Sequence, residues 1–245
     1  MLDLIIPDWP APHWVKAYTT TRIGGFSHAP YNSLNIATHV GDNLDDVSKN
    51  RQLLQTNLHL KKPIIWLKQI HANTIISSDH PIDSLAADAI YSRTAATVCA
   101  VQTADCLPIL VCCSSSYCVA AIHAGWKGLN AGIIETTIET LALPPSDILI
   151  WLGPAIGPKA FIVGEAVLQT FIDNDPAAIS AFQPLGNKQW QANLYKLAQQ
   201  RLHKLGITDI YGGNYCTFSD KRRFFSYRRD QITGRMLSLI WINLP

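Results

Sequence analysis

An α+β fold in a single domain over residues 1–245 is what this sequence predicts, on three observations. Short apolar runs dense in Val, Ile, Leu and Cys recur along the chain, and segments with helical spacing of apolar residues lie between them. Hydrophobic residues make up 48% of 245 positions, enough for a sizeable core. No internal repeat, low-complexity tract or charged linker divides the chain.

Taken in order, Lys16 to Thr21 predicts a strand that runs into the turn Arg22-Ile23-Gly24-Gly25. The polar stretch that follows, SHAPYNSLNIATHVGDN, is a loop of a length that is uncommon unless it serves a function. Asp45 to Leu60 has the pattern of an amphipathic helix, with Val47, Leu53, Leu54 and Leu58 on its apolar face. Pro63 to Ile70 predicts a strand that ends beside His71. After the break at Pro144-Pro145, Asp147 to Leu152 predicts another strand, followed by the rigid double turn from Gly153 to Pro158. Val167 to Ile172 and Gln191 to Leu205 predict helices, and Thr208 to Tyr211 and Met236 to Ile242 predict strands.

Composition excludes several classes of function. A net charge of +2, from 20 basic and 18 acidic residues, gives no bulk attraction to nucleic acid or to an anionic membrane. The first ten residues carry Asp3, Pro7 and Asp8 where a signal peptide needs an unbroken apolar stretch, and no run approaches the roughly 18 apolar residues of a membrane span. A soluble cytoplasmic protein is therefore expected, with a monomer as the default state. The six cysteines (99, 106, 112, 113, 118 and 216) form no spaced disulfide framework and no CxxC pair, so they are expected as thiols, buried or metal-bound.

The stretch Val98 to Leu141 organises the rest. Leu107 to Cys113 and Tyr117 to Ile122 predict a hairpin turning through the serines at 114 to 116. A two-residue loop, Ser114-Ser115, sets Cys106 directly opposite His123, with Cβ atoms about 5 Å apart. A three-residue loop would instead place His123 on the other face. Ala131 to Leu141 predicts a helix starting near Asn130, after the glycine-punctuated turn Ala124 to Gly128. Glycines and a helix N-terminus together suit an anion. Adding His71 gives Cys, His and His from three separate segments, the ligand set of an open catalytic zinc site. Set against this is a plain alternative, a buried Cys and His satisfied within a core sheet. The segment from Gly212 to Arg235 interleaves Tyr215, Phe218, Phe224, Phe225 and Tyr227 with Arg222, Arg223, Arg228 and Arg229. That pattern suits either stacking on a heterocycle beside a phosphate or plain packing on the core.

Across nearly its whole length the chain resembles the YfiH family, the laccase-domain proteins also described as purine nucleoside phosphorylases. The resemblance rests, in order, on TTRIGGFS ending at Ser27, PYNSLN (30–35), HVGDN (39–43), WLKQIHA (66–72), ADAIYS (87–92), TADCLPIL (103–110), HAGWKGLNAGI (123–133), LGPAIGP (152–158) and the terminal YCTFS, SYRRD and TGRM segments. It implies a layered α/β/β/α sandwich with mixed sheets. It also implies zinc on His71, Cys106 and His123, phosphorolysis of adenosine, inosine and S-methyl-5'-thioadenosine with phosphate as co-substrate, and deamination of adenosine. Lys127 stands where the family usually has arginine, and Ile162 where it has an acid.

On this reading Arg22, Lys127 and Arg228 are candidate phosphate or transition-state cations. Asp105 is a candidate acid/base or ligand-orienting group beside Cys106, and Trp126, Phe225 and Tyr227 are candidate purine-stacking side chains. Three other readings compete. Cys106 as nucleophile with His123 as base would hydrolyse an amide, for instance in a cell-wall precursor in peptidoglycan editing, but leaves His71 idle. Copper-dependent oxidation of polyphenols needs paired histidine clusters, and the chain has no HxH. A binding protein stapled by its metal would unfold when the metal is removed.

Overall fold

The computed structural model describes residues 2–244 and builds three sheets. Six strands form the largest, in the order Ile210–Gly212, Ile148–Leu152, Leu107–Cys113, Val119–Ala124, Ala89–Ser92 and Ile75–Ser77. Its outermost pair on each side is parallel and its interior antiparallel. A second, antiparallel sheet has the order Leu4–Ile5, Val15–Thr20, Met236–Ile242, Cys99–Thr103. A small antiparallel sheet joins Phe182–Gly186, Gln189–Ala192 and Ile162–Gly164.

Alternating side chains sort the core into three slabs. From Leu107–Cys113, residues Leu107, Ile109, Val111 and Cys113 face a slab made with Ile133, Ile134 and Leu141 of the helix Ile133–Leu141 and Leu197, Ala198 and Leu202 of the helix Leu194–Lys204. Leu110 and Cys112 face the opposite way and meet Val101, Met236 and Ile240 of the second sheet. The far side of that sheet, through Ala100, Leu237 and Leu239, packs on Leu54 of the helix Leu44–Asn57. Helix, sheet, sheet and helices thus stack as the expected α/β/β/α sandwich. Two-residue periodicity in the strands leaves nearly every side chain of the central hairpin buried.

Strands Val15–Thr20, Ile148–Leu152 and Met236–Ile242 and helices Leu44–Asn57, Glu165–Asn174 and Leu194–Lys204 fall on the expected segments. Three local expectations are corrected. Pro63 to Ile70 is extended but unpaired apart from one bridge, Lys68 to Ala86, because Gln69 ties it to the second sheet through its side chain instead. The helix expected from Ala131 to Leu141 is present as Ile133–Leu141, but the glycine-punctuated turn before it is itself partly helical over Trp126–Asn130, and Gly132, with φ +87°, separates the two helices. The hairpin loop spans Ser114 to Tyr117, two residues longer than expected, so Pro108 rather than Cys106 stands opposite His123. A shift by two keeps both residues on the face they were assigned. Cys106 and His123 therefore still meet, diagonally.

Candidate metal centre and substrate cavity

His123 lies on the hairpin face turned towards the second sheet, one residue before the end of its strand, and is 3% exposed. Cys106 lies just before the partner strand, and His71 on the turn after the extended segment. One ligand atom from each lies within 4.8 Å of the others. The Cys106 Sγ is 4.0 Å from His71 Nε2, and the two imidazoles meet edge-on with centroids 4.8 Å apart.

Two buried aspartates set this geometry. Asp88 is fully buried, and its carboxylate accepts hydrogen bonds from His123 Nδ1 at 2.8 Å and from the backbone N–H groups of Ile70, His71 and Ala72 at 3.2, 2.9 and 2.8 Å. It holds His71 in a left-handed conformation, φ +60°, and leaves His123 Nε2 directed at the cluster. Burial alone would raise the Asp88 pKa; the donors from His123, Ala72 and His71 outweigh it and keep the carboxyl below its ordinary range. Asp105, with φ +93°, accepts from Thr217 Oγ1 at 2.6 Å, Ser226 Oγ at 3.0 Å and Arg228 N at 2.6 Å. Its oxygens tie the turn that presents Cys106 to the segment from Thr217 to Arg228.

The donor set fits a resident metal ion. A tetrahedral zinc separates sulfur and nitrogen ligands by about 3.6 Å, so the 4.0 Å between Cys106 and His71 needs only a small contraction. An Asp–His pair behind one ligand is the usual arrangement for holding an imidazole in the metal-binding tautomer. Burial would raise the Cys106 thiol, yet His123 and His71 overcome it and bring its pKa to about 6. Burial would likewise lower His123, but Cys106 and Asp88 carry it up to about 9. In metal-stripped protein, alkylation of Cys106 should accordingly rise through pH ~6 rather than through the ~8.5 of a free thiol. Iodoacetamide kinetics, corrected with the Cys106→Ala variant, measure this.

Gly125 leaves the room for the cluster. A Cβ there would sit 2.9 Å from Cys106 Sγ and 3.3 Å from His71 Cδ2. Gly125→Ala should lower metal affinity about 10- to 100-fold, as displaced ligands do, with the fold retained. Competition with a chromophoric chelator reads that change directly.

The trio opens into a cavity of about 810 Å³, within the size range of small-molecule sites. Tyr227, 52% exposed, is the one expected stacking residue on its wall. Phe225 is fully buried, where it carries the Arg22 guanidinium 4.6 Å from its centroid, and no base can reach it. Trp126 packs on the helical slab, with Lys127 exposed beside it. Arg228 donates to the Ile162 carbonyl at 2.9 Å, so the residue standing in place of the family's acid contributes only its backbone. Arg22 lines a separate cleft of about 560 Å³ with Asn32, Lys221 and Arg229. None of Arg22, Lys127, Arg228 and Trp126 lines the cavity over the trio. His39, Arg51, Trp66, Gln102 and Arg235 do. His39, Trp66, Gln102 and Arg235 lie in or next to HVGDN, WLKQIHA, TADCLPIL and TGRM, and Arg51 lies on the helix Leu44–Asn57; lack of a close sequence neighbour of matching chemistry hid them.

Among the described residues, no helix is long and apolar enough to cross a membrane. A family model described as multi-copper polyphenol oxidoreductase laccase matches residues 16–243. A Shigella flexneri protein named purine nucleoside phosphorylase YfiH is 49% identical, with 99% of this chain and 100% of that one aligned. A Haemophilus influenzae purine nucleoside phosphorylase is also 49% identical, over 98% of this chain and 99% of its own. A solved Neisseria meningitidis protein of family DUF152 superposes with a TM-score of 0.94 at 43% identity, covering 98% of this chain and 99% of that one. YlmD from Geobacillus stearothermophilus superposes with a TM-score of 0.89 at 31% identity, covering 96% and 94%. Full-length matches in sequence and in fold place this chain, with its His71–Cys106–His123 cluster, in the YfiH family of laccase-domain proteins.

Proposed function

We propose that the chain is a zinc-dependent purine nucleoside phosphorylase acting on adenosine, inosine and S-methyl-5'-thioadenosine, with adenosine deamination as a second activity of the same centre. The observation that carries this reading is the open three-ligand cluster at one end of a cavity large enough for a nucleoside. The names of the relatives supply the substrate class.

His71, Cys106 and His123 would hold the ion, with Asp88 fixing two of them through His123 Nδ1 and the His71 backbone N–H. Zinc held there supplies Lewis-acid polarisation of a substrate oxygen. Phosphorolysis breaks the bond between C1' and the base nitrogen while a phosphate oxygen bonds to C1'. The base departs with the electron pair and takes up a proton. The chain's part is to hold sugar, base and phosphate in register and to exclude water, so that phosphate rather than hydroxide completes the bond to C1'. Tyr227 on the cavity wall offers its ring face to the base.

Purified protein incubated with adenosine should release adenine and ribose 1-phosphate only when phosphate is present, and inosine with or without it. Chromatography of the products checks both reactions. Release of neither base nor inosine from any purine nucleoside would overturn the reading.

A second reading has one observation behind it. Cys106, His123 and Asp88 also form the thiol, imidazole and carboxylate series of a cysteine hydrolase. His71 separates the two. As a zinc ligand it is indispensable, whereas as a bystander 4.0 Å from the sulfur it is not. His71→Ala is expected to abolish turnover.

A further inference from the structure

The cavity over the trio carries a charge pattern that the metal centre does not use. Arg51, Lys68 and Arg235 line it, and no aspartate or glutamate does. Arg235 is braced from several sides. Its backbone N–H donates to Asn35 Oδ1 at 3.0 Å, and its Nη1 donates to the carbonyls of Thr233 and Gly234 at 2.9 and 3.0 Å. Its guanidinium lies 5.8 Å from the Tyr227 ring centroid. Among the described residues its Nε and Nη2 have no hydrogen-bond partner. Arg51 is fixed in the same manner, with Nε donating to the Ile36 carbonyl at 2.9 Å and the guanidinium stacked 3.7 Å from the Trp66 ring centroid. Its two terminal nitrogens make no hydrogen bond among the described residues.

Two immobilised guanidinium groups with spare donors, in a cavity free of carboxylates, form a pre-paid oxyanion site. His39 lies in the field of both: burial first, then Arg235 and Arg51, hold its imidazole below its ordinary pKa. Gln102 adds an unpaired acceptor to the cavity wall. It is 8% exposed, lines the cavity, and its Oε1 is buried without a hydrogen-bond partner. Such an orphaned acceptor is costly unless a ligand donor meets it.

We infer that Arg235 and Arg51 form the subsite for a phosphoryl oxyanion beside the metal centre, with Gln102 accepting from an N–H or O–H of the same or the adjoining ligand. This rests on the phosphorylase reading for the role of the anion. It replaces Arg22, Lys127 and Arg228 as the phosphate-binding cations. The oxyanion has two possible sources, free inorganic phosphate or a phosphate carried on the nucleoside.

Calorimetric titration of the purified full-length chain with inorganic phosphate, with adenosine 5'-monophosphate and with adenosine tests the subsite. Arg235→Gln and Arg51→Gln should each weaken the anion that binds wild type about 10- to 100-fold. Adenosine affinity should change by less than about threefold, because it carries no anion for these groups to meet. Arg235→Lys, which keeps the charge and loses the fork, should fall between wild type and Arg235→Gln and guards against loss of fold. Lys16→Gln, on the strand Val15–Thr20 and outside the cavity lining, controls for net charge. Binding of free phosphate identifies the co-substrate; binding of the monophosphate alone identifies a phosphorylated nucleoside. The inference is overturned by wild type binding neither anion, by unchanged anion affinity in Arg235→Gln and Arg51→Gln, or by an equal loss in Lys16→Gln. Arginine-dependent phosphate binding by a protein that cleaves no nucleoside would refute the phosphorylase reading while leaving the subsite standing.

Discussion

Cys106→Ser is expected to lower phosphorolysis roughly 1,000-fold or more, corresponding to several kcal/mol of lost transition-state stabilisation. The substitution is nearly isosteric, so the fold should persist. What changes is chemistry: the thiol, drawn to a pKa of about 6 by His123 and His71 against the effect of burial, is ready to ligate as thiolate near neutral pH. A serine hydroxyl is not deprotonated there and is a harder, weaker partner for zinc. Bound metal should fall in parallel with activity. Steady-state rates beside metal content per chain measure both, and activity retained in the serine variant would remove Cys106 from the mechanism. Thermal melting of the metal-free wild type bears on the metal-stapled alternative. The slabs of core around the hairpin are built from apolar side chains, so the chain should remain folded without metal.

Asp88→Ala is expected to be the most damaging single change outside the ligands. It removes one carboxylate that accepts from an imidazole and three backbone N–H groups, all in a fully buried setting. Breaking a buried charged pair by deleting one partner costs about 3–5 kcal/mol. His71 loses the brace for its left-handed backbone, and His123 loses the acceptor that fixes its tautomer. Metal affinity should drop about 10- to 100-fold in the milder Asp88→Asn variant, which retains an acceptor oxygen. Denaturant melts of both variants, with chelator competition on Asp88→Asn, separate the stability effect from the orienting one. Wild-type metal affinity in Asp88→Asn would contradict the orienting role.

The layered sandwich followed from the family resemblance, whereas the individual strands and the His71, Cys106 and His123 trio were legible in the residues, for different reasons. Strands such as Met236–Ile242 and Leu107–Cys113 are continuous apolar runs, and burial on both faces is what makes a run of that kind. The trio was legible because cysteine and histidine at strand ends are chemically conspicuous, and because an even-numbered loop preserves which face each occupies even when its length is misjudged. The register itself was not legible, since three serines offer no preferred turn residue to locate the bend. Short strands such as Ile162–Gly164 and Ile75–Ser77 also escaped, being three residues each and defined only by their partners. Aromatic residues misled for a similar reason. Phe225 and Tyr227 are two apart in the chain, yet one is sealed in the core and the other half open to the cavity. Asp88 and Arg235 act through contacts with residues 35 and 200 positions away, at His123 and Asn35, and no local pattern reports such contacts.

The most direct test of a metal-dependent centre at His71, Cys106 and His123 is a zinc titration of chelator-stripped protein, following phosphate-dependent release of adenine from adenosine. The account predicts no turnover in the stripped protein and activity that rises linearly with zinc to an end point of one ion per chain. Full turnover in stripped protein, unaffected by added zinc, would contradict it and make Cys106 a nucleophile in its own right.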